Sequence, residues 1–235
     1  MKYGNISPAE FISRPNRFIA LVRKGGETLT VHVKNTGRCR ELLIPGCTVY
    51  LEKSCLTEKR KTLYDLVSVE KEGRIINIDS QAPNKLVSEW LKDHFRGAAK
   101  PEYTWGSSRF DFLLRPEGGT PEEILMEVKG CTLIKNGTGY FPDAPTERGA
   151  RHIHELISAK KKGLGSVLAF VIQTEGIVNV LPNRETDPWF SKTLDDALKE
   201  GVTVIYFACS VSCGGIVITG GTAANETDIS KLLIS

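Results

Sequence analysis

Three consecutive pieces decide how the chain is read: Arg109-Phe110-Asp111-Phe112-Leu113-Leu114, the turn from Pro116 to Glu123 (PEGGTPEE), and Ile124-Leu125-Met126-Glu127-Val128-Lys129-Gly130. If Gly118-Gly119 closes a hairpin, Asp111 falls opposite Glu127, Phe112 opposite Met126 and Leu114 opposite Ile124. Alternation along each strand then sorts the faces. Phe110, Phe112, Leu114, Ile124, Met126 and Val128 make one apolar face, while Asp111, Glu127 and Lys129 share the other with Leu113 and Leu125. Two carboxylates within about 5 Å at Cβ repel unless a cation lies between them. A metal ion, Lys129, or both can supply that charge.

Working outward, the 235 residues carry a net charge of +3, unevenly placed. Residues 1 to 83 hold 14 Lys and Arg against 9 Asp and Glu, a net of +5; residues 84 to 235 hold 17 against 19, a net of −2. A basic first third favours a polyanionic partner, although solvated surface lysines give similar counts. The longest apolar runs, such as Val167 to Ile172 and Val202 to Ala208, are of strand length, and the start MKYGNISPAEF lacks the basic and apolar regions of a signal peptide. A cytoplasmic protein that does not span a membrane is expected. The cysteines at 39, 47, 55, 131, 209 and 213 include no CxxC pair, which suits free thiols in a reducing compartment.

Residues 1 to 16, with Pro8, Pro15 and Asn16, read as an irregular lead-in. Strands are predicted at 18–22 and 28–33 around the Gly25-Gly26 turn, and at 48–51, 65–69 and 75–78. About five short strands in that space suggest a small barrel of the oligonucleotide/oligosaccharide-binding (OB) kind. From Asn84, a plausible N-cap, Leu86, Trp90, Leu91 and Phe95 recur at helical spacing, and Glu89 between Leu86 and Trp90 is a candidate for the domain interior. Tyr140 to Pro145 reads as an irregular loop leading into a helix from Thr146 to about Lys162. On that helix Thr146, Ala150, Ile153 and Ile157 form one face, with Arg148, His152 and Glu155 on the opposite one. Strands at 167–172, 178–181, 202–208 and 216–219 and a helix at 191–199 follow. The fold class is therefore mixed α/β: a small OB-like barrel over 1–82 and, over 83–235, an α/β unit with a mixed central sheet.

Asp111 and Glu127 are hard oxygen ligands suited to Mg²⁺ or Mn²⁺, and Lys129 on the same face can orient a water or meet the charge of a phosphoryl transition state. Glu89 is placed as an ancillary ligand from the preceding helix. The competing reading is a partly buried ion-pair network that serves structure only. Asp143 or Thr146 can cap the helix, with its free amides holding a phosphate beside Arg148. His152 is a candidate general base. For the barrel, Arg17, Lys34, Arg38 and Arg40 surround the Asn35-Thr36-Gly37 turn and are the candidates for nucleic-acid phosphates.

Asn35-Thr36-Gly37, Asn84-Lys85-Leu86 with Glu89, Arg109-Phe110-Asp111-Phe112, Glu127-Val128-Lys129 and, above all, Gly139-Tyr-Phe-Pro-Asp-Ala-Pro-Thr-Glu-Arg-Gly149 with His152 and Glu155-Leu156 resemble the sugar fermentation stimulation protein A family across nearly the whole chain. The resemblance implies an OB barrel fused to a nuclease-like domain of the PD-(D/E)xK type. It also implies DNA binding without sequence specificity and a regulatory link to sugar (maltose) metabolism. By position, Asp111, Glu127 and Lys129 match that superfamily's signature and Glu89 its frequent helix acid. Gly130-Cys131 departs from the bulkier or hydroxylic residues usual after the lysine. Three functions are in play: a DNA-binding protein with a divalent-metal site and no organic cofactor, an active metal-dependent endonuclease or phosphodiesterase, and a non-catalytic regulatory interaction module.

Overall fold

The computed structural model describes residues 1–54, 62–118 and 120–224; Cys55 and Gly119, both named above, lie outside the described residues. Its first unit is a sheet of six strands: β1 (Ile6–Asn16), β2 (Ile19–Lys24), β3 (Glu27–Val33), β4 (Thr48–Lys53), β5 (Tyr64–Lys71) and β6 (Arg74–Asn77). Their order is β3-β2-β1-β4-β5-β6, and a parallel pairing of β3 with β5, His32 to Asp65 and Val33 to Leu66, closes five of them into an OB-like barrel. Alternate residues point inward to a core that includes Phe11, Val22, Val31, Leu51 and Leu66. Each fully buried apolar side chain of this size contributes about 1.5–3 kcal/mol.

The lead-in is not irregular, for β1 occupies it. Pro8 is tolerated because residues 6–10 pair with β4 while the pairing with β2 covers residues 10–16, so one flank is open at Pro8. Pro15 falls where the register with β2 shifts, between Ser13 and Asn16.

The second unit begins with α1 (Ala82–His94) and the strands β7 (Gly97–Trp105), β8 (Ser108–Pro116) and β9 (Ile124–Cys131). A short hairpin of β10 (Leu133–Lys135) and β11 (Thr138–Phe141) precedes α2 (Glu147–Lys161), β12 (Gly165–Ile172), β13 (Val180–Pro182), α3 (Pro188–Lys199), β14 (Thr203–Ser212) and β15 (Gly215–Ala223). The central sheet runs β15-β14-β12-β9-β8-β7 and is mixed: β12 is parallel to β9 and β14, and the remaining neighbours are antiparallel. All eight residues of β12 are buried, as a central parallel strand covered on both faces requires. The face bearing Phe112, Leu114, Met126 and Val128 packs on α1, and the other, bearing Leu113, Leu125, Leu168 and Phe170, packs on α2 and α3.

Three local expectations change. Gln81 is the N-cap residue of α1 and Pro83 sits in its first turn, so Asn84 lies inside the helix with its side chain free for another task. Tyr140 and Phe141 belong to β11, paired with β10 and with β13. On α2 the buried stripe is Gly149, Ala150, His152, Ile153, Leu156 and Ala159, so His152 faces the sheet instead of lying opposite the apolar residues. Its polarity hid a position that matches helical spacing with Gly149 and Leu156.

The two units meet directly. The Asn77 amide donates to the Gln173 carbonyl (2.9 Å), and the Gln173 side-chain amide donates to Asn77 Oδ1 (2.9 Å) and to the Asp79 carbonyl (3.1 Å). A Cβ placed on Gly37 would lie 3.3 Å from Asp143 Oδ2, so the loop before α2 reaches the Asn35-Thr36-Gly37 turn of the barrel. No helix among the described residues is long and apolar enough to cross a membrane.

Candidate metal and nucleic-acid site

The β8–β9 register pairs Phe112 with Met126, Leu113 with Leu125 and Leu114 with Ile124, as symmetry about the turn demands. The ladder ends before Asp111. There the carboxylate takes over: Asp111 Oδ2 accepts from the Val128 amide (2.7 Å) and Oδ1 from Asn84 Nδ2 (2.6 Å). Strict alternation fails at the same place. Phe110 packs with the α2 cluster and not beside Phe112, and across on β7 Glu102 adopts φ 54°. The break aims Asp111 between the two faces and brings the Phe110 ring to 5.8 Å from His152.

Glu127 is only 3% exposed. Its Oε1 accepts from Lys129 Nζ and lies 2.6 Å from His152 Nδ1. His152 Nε2 lies 3.4 Å from Arg148 Nε, so both ring nitrogens of His152 are engaged, one by Glu127 and one by Arg148. Glu127 Oε2 is buried and has no hydrogen-bond partner among the described residues. Burial pushes both acids up. For Glu127 the Lys129 charge and the His152 hydrogen bond outweigh it and hold the carboxyl below its usual range. For Asp111 burial and the Glu127 charge prevail over the Val128 amide and Lys129, leaving it raised.

Asp111, Glu127 and Lys129 are thus brought together as expected, and the residues that hold them are Asn84, Arg148 and His152. Glu89 goes elsewhere: its Oε2 receives the Met1 amino group at 2.8 Å. The helix residue that reaches Asp111 is Asn84, five positions earlier and on a different side of α1. His152 has both ring nitrogens engaged within the cluster, which makes it a support for Glu127 and not a free base. Thr146 caps α2, accepting from the Gly149 amide (3.0 Å), while Asp187 receives the Thr146 amide (2.8 Å) and caps α3. Gly149 is needed there, since a Cβ would stand 2.8 Å from the Thr146 methyl. Asp143 is not the cap; burial pushes its carboxyl up against the opposing charge of Arg38, although the side chain still meets solvent at the junction. Glu155 accepts from Ser107 at 2.6 Å, at the β7–β8 turn.

On the barrel, Arg17, Arg38 and Arg40 are exposed and line one open groove with Arg14. Arg14 was not anticipated; it donates to the carbonyls of Arg17, Asn35, Gly37 and Arg38 and fixes the groove's rim. Only its clustering with the other arginines in sequence hinted at this. Lys34 is not part of that surface, being bound to Glu52, Asp65 and Asp79. Asn35 closes its own turn, accepting from the Gly37 amide (2.6 Å) and donating to the Ile78 carbonyl (2.8 Å).

Two family models match the two units: the SfsA N-terminal OB domain over residues 12–78, and the sugar fermentation stimulation protein RE domain over residues 81–215. The chain belongs to the sugar fermentation stimulation protein family. Homologues of that name in Desulfitobacterium hafniense and Ruminiclostridium cellulolyticum are 49% identical over 215 residues (90% of this chain, 92% of the relative) and 48% identical over 222 residues (93% and 96%). In the family's solved structures, Pyrococcus furiosus SfsA in complex with Ca²⁺ superposes with a TM-score of 0.81 at 30% identity, covering 94% of this chain and 96% of that one. Barrel and mixed-sheet domain are therefore family features, shared across nearly the full length.

Proposed function

We propose that the chain binds DNA through phosphate contacts, without reading its sequence, and holds a hard divalent cation, Mg²⁺ or Mn²⁺, at Asp111 and Glu127. The observation that carries this reading is the buried, unpartnered Oε2 of Glu127 beside the raised carboxyl of Asp111. A carboxylate oxygen withdrawn from water without a donor is costly unless a cation meets it. Among the described residues no set of three His, Cys, Asp or Glu side chains is arranged to hold a metal by itself, so a cation here would complete its shell with water, backbone carbonyl or phosphate oxygen. Such open coordination suits Mg²⁺, and the Ca²⁺ complex of the Pyrococcus furiosus relative is consistent with a hard-ion site.

A bound ion of this class polarises a phosphate oxygen and acidifies a water. The chain's own residues do the rest. Asn84 and the Val128 amide hold Asp111, His152 and Lys129 hold Glu127 Oε1 so that Oε2 stays free, and the exposed Arg148 offers its guanidinium to a phosphate. A second reading, phosphodiester hydrolysis, is favoured by the ammonium of Lys129, which lies on the carboxylate where anionic charge would grow. Any regulatory influence on sugar metabolism would be exerted through the DNA contact.

Titrating Mn²⁺ into wild type and Glu127→Gln by calorimetry tests the site. Saturable binding that the variant loses is the expected result; a wild type without Mn²⁺ affinity overturns it. For hydrolysis, Mn²⁺-dependent cleavage of DNA by wild type but not by Lys129→Ala is expected, and equal cleavage by both refers the activity to a contaminant.

A further inference from the structure

Among the described residues the barrel leaves two large apolar side chains more than half exposed, Phe18 at 55% and Ile44 at 51%. Single exposed apolar residues are ordinary. These two are not scattered: Phe18 follows Arg17, and Ile44 lies between Leu43 and Pro45, three residues that line the arginine groove. The groove thus combines the exposed Pro45, and Phe18 and Ile44 next to its lining residues in the chain, with the exposed guanidinium groups of Arg17, Arg38 and Arg40. Arg14 spends its guanidinium on four rim carbonyls, so that rim is fixed before any ligand arrives.

This pairing of chemistries discriminates between forms of nucleic acid. A duplex presents phosphates outside and keeps its base faces stacked within, so apolar surface gains little from it. A single strand presents both phosphates and open base faces, which stack on aromatic side chains in a sequence-tolerant way. We infer that the groove takes a single-stranded segment of nucleic acid, with a base on Phe18, others along Ile44 and Pro45, and phosphates on Arg17, Arg38 and Arg40. The inference rests on the DNA-binding reading above and specifies its strand state. The groove's edge at Gly37 lies against the loop that carries Asp143 and leads into α2, the helix bearing Arg148 and His152.

Fluorescence anisotropy in EDTA, with one labelled unstructured oligonucleotide offered single-stranded and as its duplex, tests this on the full chain. Wild type is expected to hold the single strand about tenfold more tightly. Phe18→Ala loses roughly tenfold on the single strand and less than about twofold on the duplex, while Phe18→Trp keeps the preference. Because Phe18 is exposed, an unchanged melting temperature accompanies both variants. Equal or tighter binding of the duplex, or equal losses on both forms in Phe18→Ala, overturns the strand assignment and leaves the DNA-binding reading standing. Failure of wild type to bind either form overturns both.

Discussion

The molecule contains two buried clusters built from the same residue types, and they end in opposite states. In the barrel, Lys34 faces Glu52, Asp65 and Asp79, and all six carboxylate oxygens have partners. Asp65 is met by His32 (2.8 Å) and Ser54 (3.1 Å), Asp79 by the Gln81 amide (2.9 Å) and Tyr3 (3.3 Å), and Glu52 by the Gly4 amide (3.0 Å) and Lys34 (3.4 Å). Burial tends to discharge Lys34, but Asp79, Asp65 and Glu52 together hold its pKa above the usual value. In the second domain, Lys129 faces Glu127 beside Asp111, and one buried oxygen is left over. Residue type and burial are alike in the two clusters; the balance of donors against acceptors is not.

That contrast breaks most visibly at Lys34. Lys34→Met takes the ammonium away from three carboxylates, leaves Glu52 Oε2 without its donor and is expected to cost about 3 kcal/mol of unfolding free energy in urea, with no recovery on adding Mn²⁺. Lys129→Met, measured the same way, recovers stability with Mn²⁺ because the ion supplies the missing charge at its own cluster. Wild type at a Mn²⁺ concentration 100 times its Kd gains about 2.7 kcal/mol, and Glu127→Gln gains none. If both lysine variants respond to the ion alike, the contrast is false.

Next in size are the two substitutions at His152. Asn places an amide nitrogen where Nδ1 stood and keeps the donor to Glu127; Gln places it near Nε2 and does not. His152→Gln is expected to weaken Mn²⁺ binding about tenfold or more and His152→Asn much less, as read by calorimetry on equally folded proteins.

A smaller effect concerns pH. The fold raises the pKa of Asp111, so its charge costs stability at neutral pH; that cost begins to lift as pH falls through the folded value and is gone only below the unfolded one. The fold lowers the pKa of Glu127, whose stabilising contribution is present above its unfolded value and is lost only as pH falls through the folded one. Carboxyl carbon shifts should show Asp111 protonating first on acidification, and Mg²⁺ should move its titration downward. Glu127 taking the first proton would contradict the assignment. The smallest change is at Arg148: Arg148→Ala should lower the salt slope of DNA binding by about one phosphate's worth with little loss of Mn²⁺ affinity.

Much of the second domain was legible because its signals were local. The register of Phe112 on Met126 follows from symmetry about the turn, and the helix from Glu147 follows from its spacing. What escaped depended on long-range pairing. The tolerance of Pro8 in β1 comes from which flank is paired, Asn84 displaced Glu89 because the cap lay three residues earlier, and Phe110 changed sides where Asp111 left the ladder. His152 was visible as a residue but not in its role, since a polar side chain on a buried stripe declares itself only once Glu127 is placed opposite. In the barrel, the charge count in sequence could not show that Lys34 is consumed internally while Arg17, Arg38 and Arg40 remain outside.

Gly130, directly after Lys129, leaves no room for even a methyl group: a Cβ there would fall 2.2 Å from the side-chain oxygen of Gln173 and 2.8 Å from Pro83. Gln173 is the residue that bonds Asn77 and Asp79 on the far side of the junction. The strand bearing Glu127 and the end of the barrel are therefore both held against one side chain. A polymer lying along both units would have to take its curvature from the protein, and the spacing between groove and carboxylates would act as a fixed ruler along it.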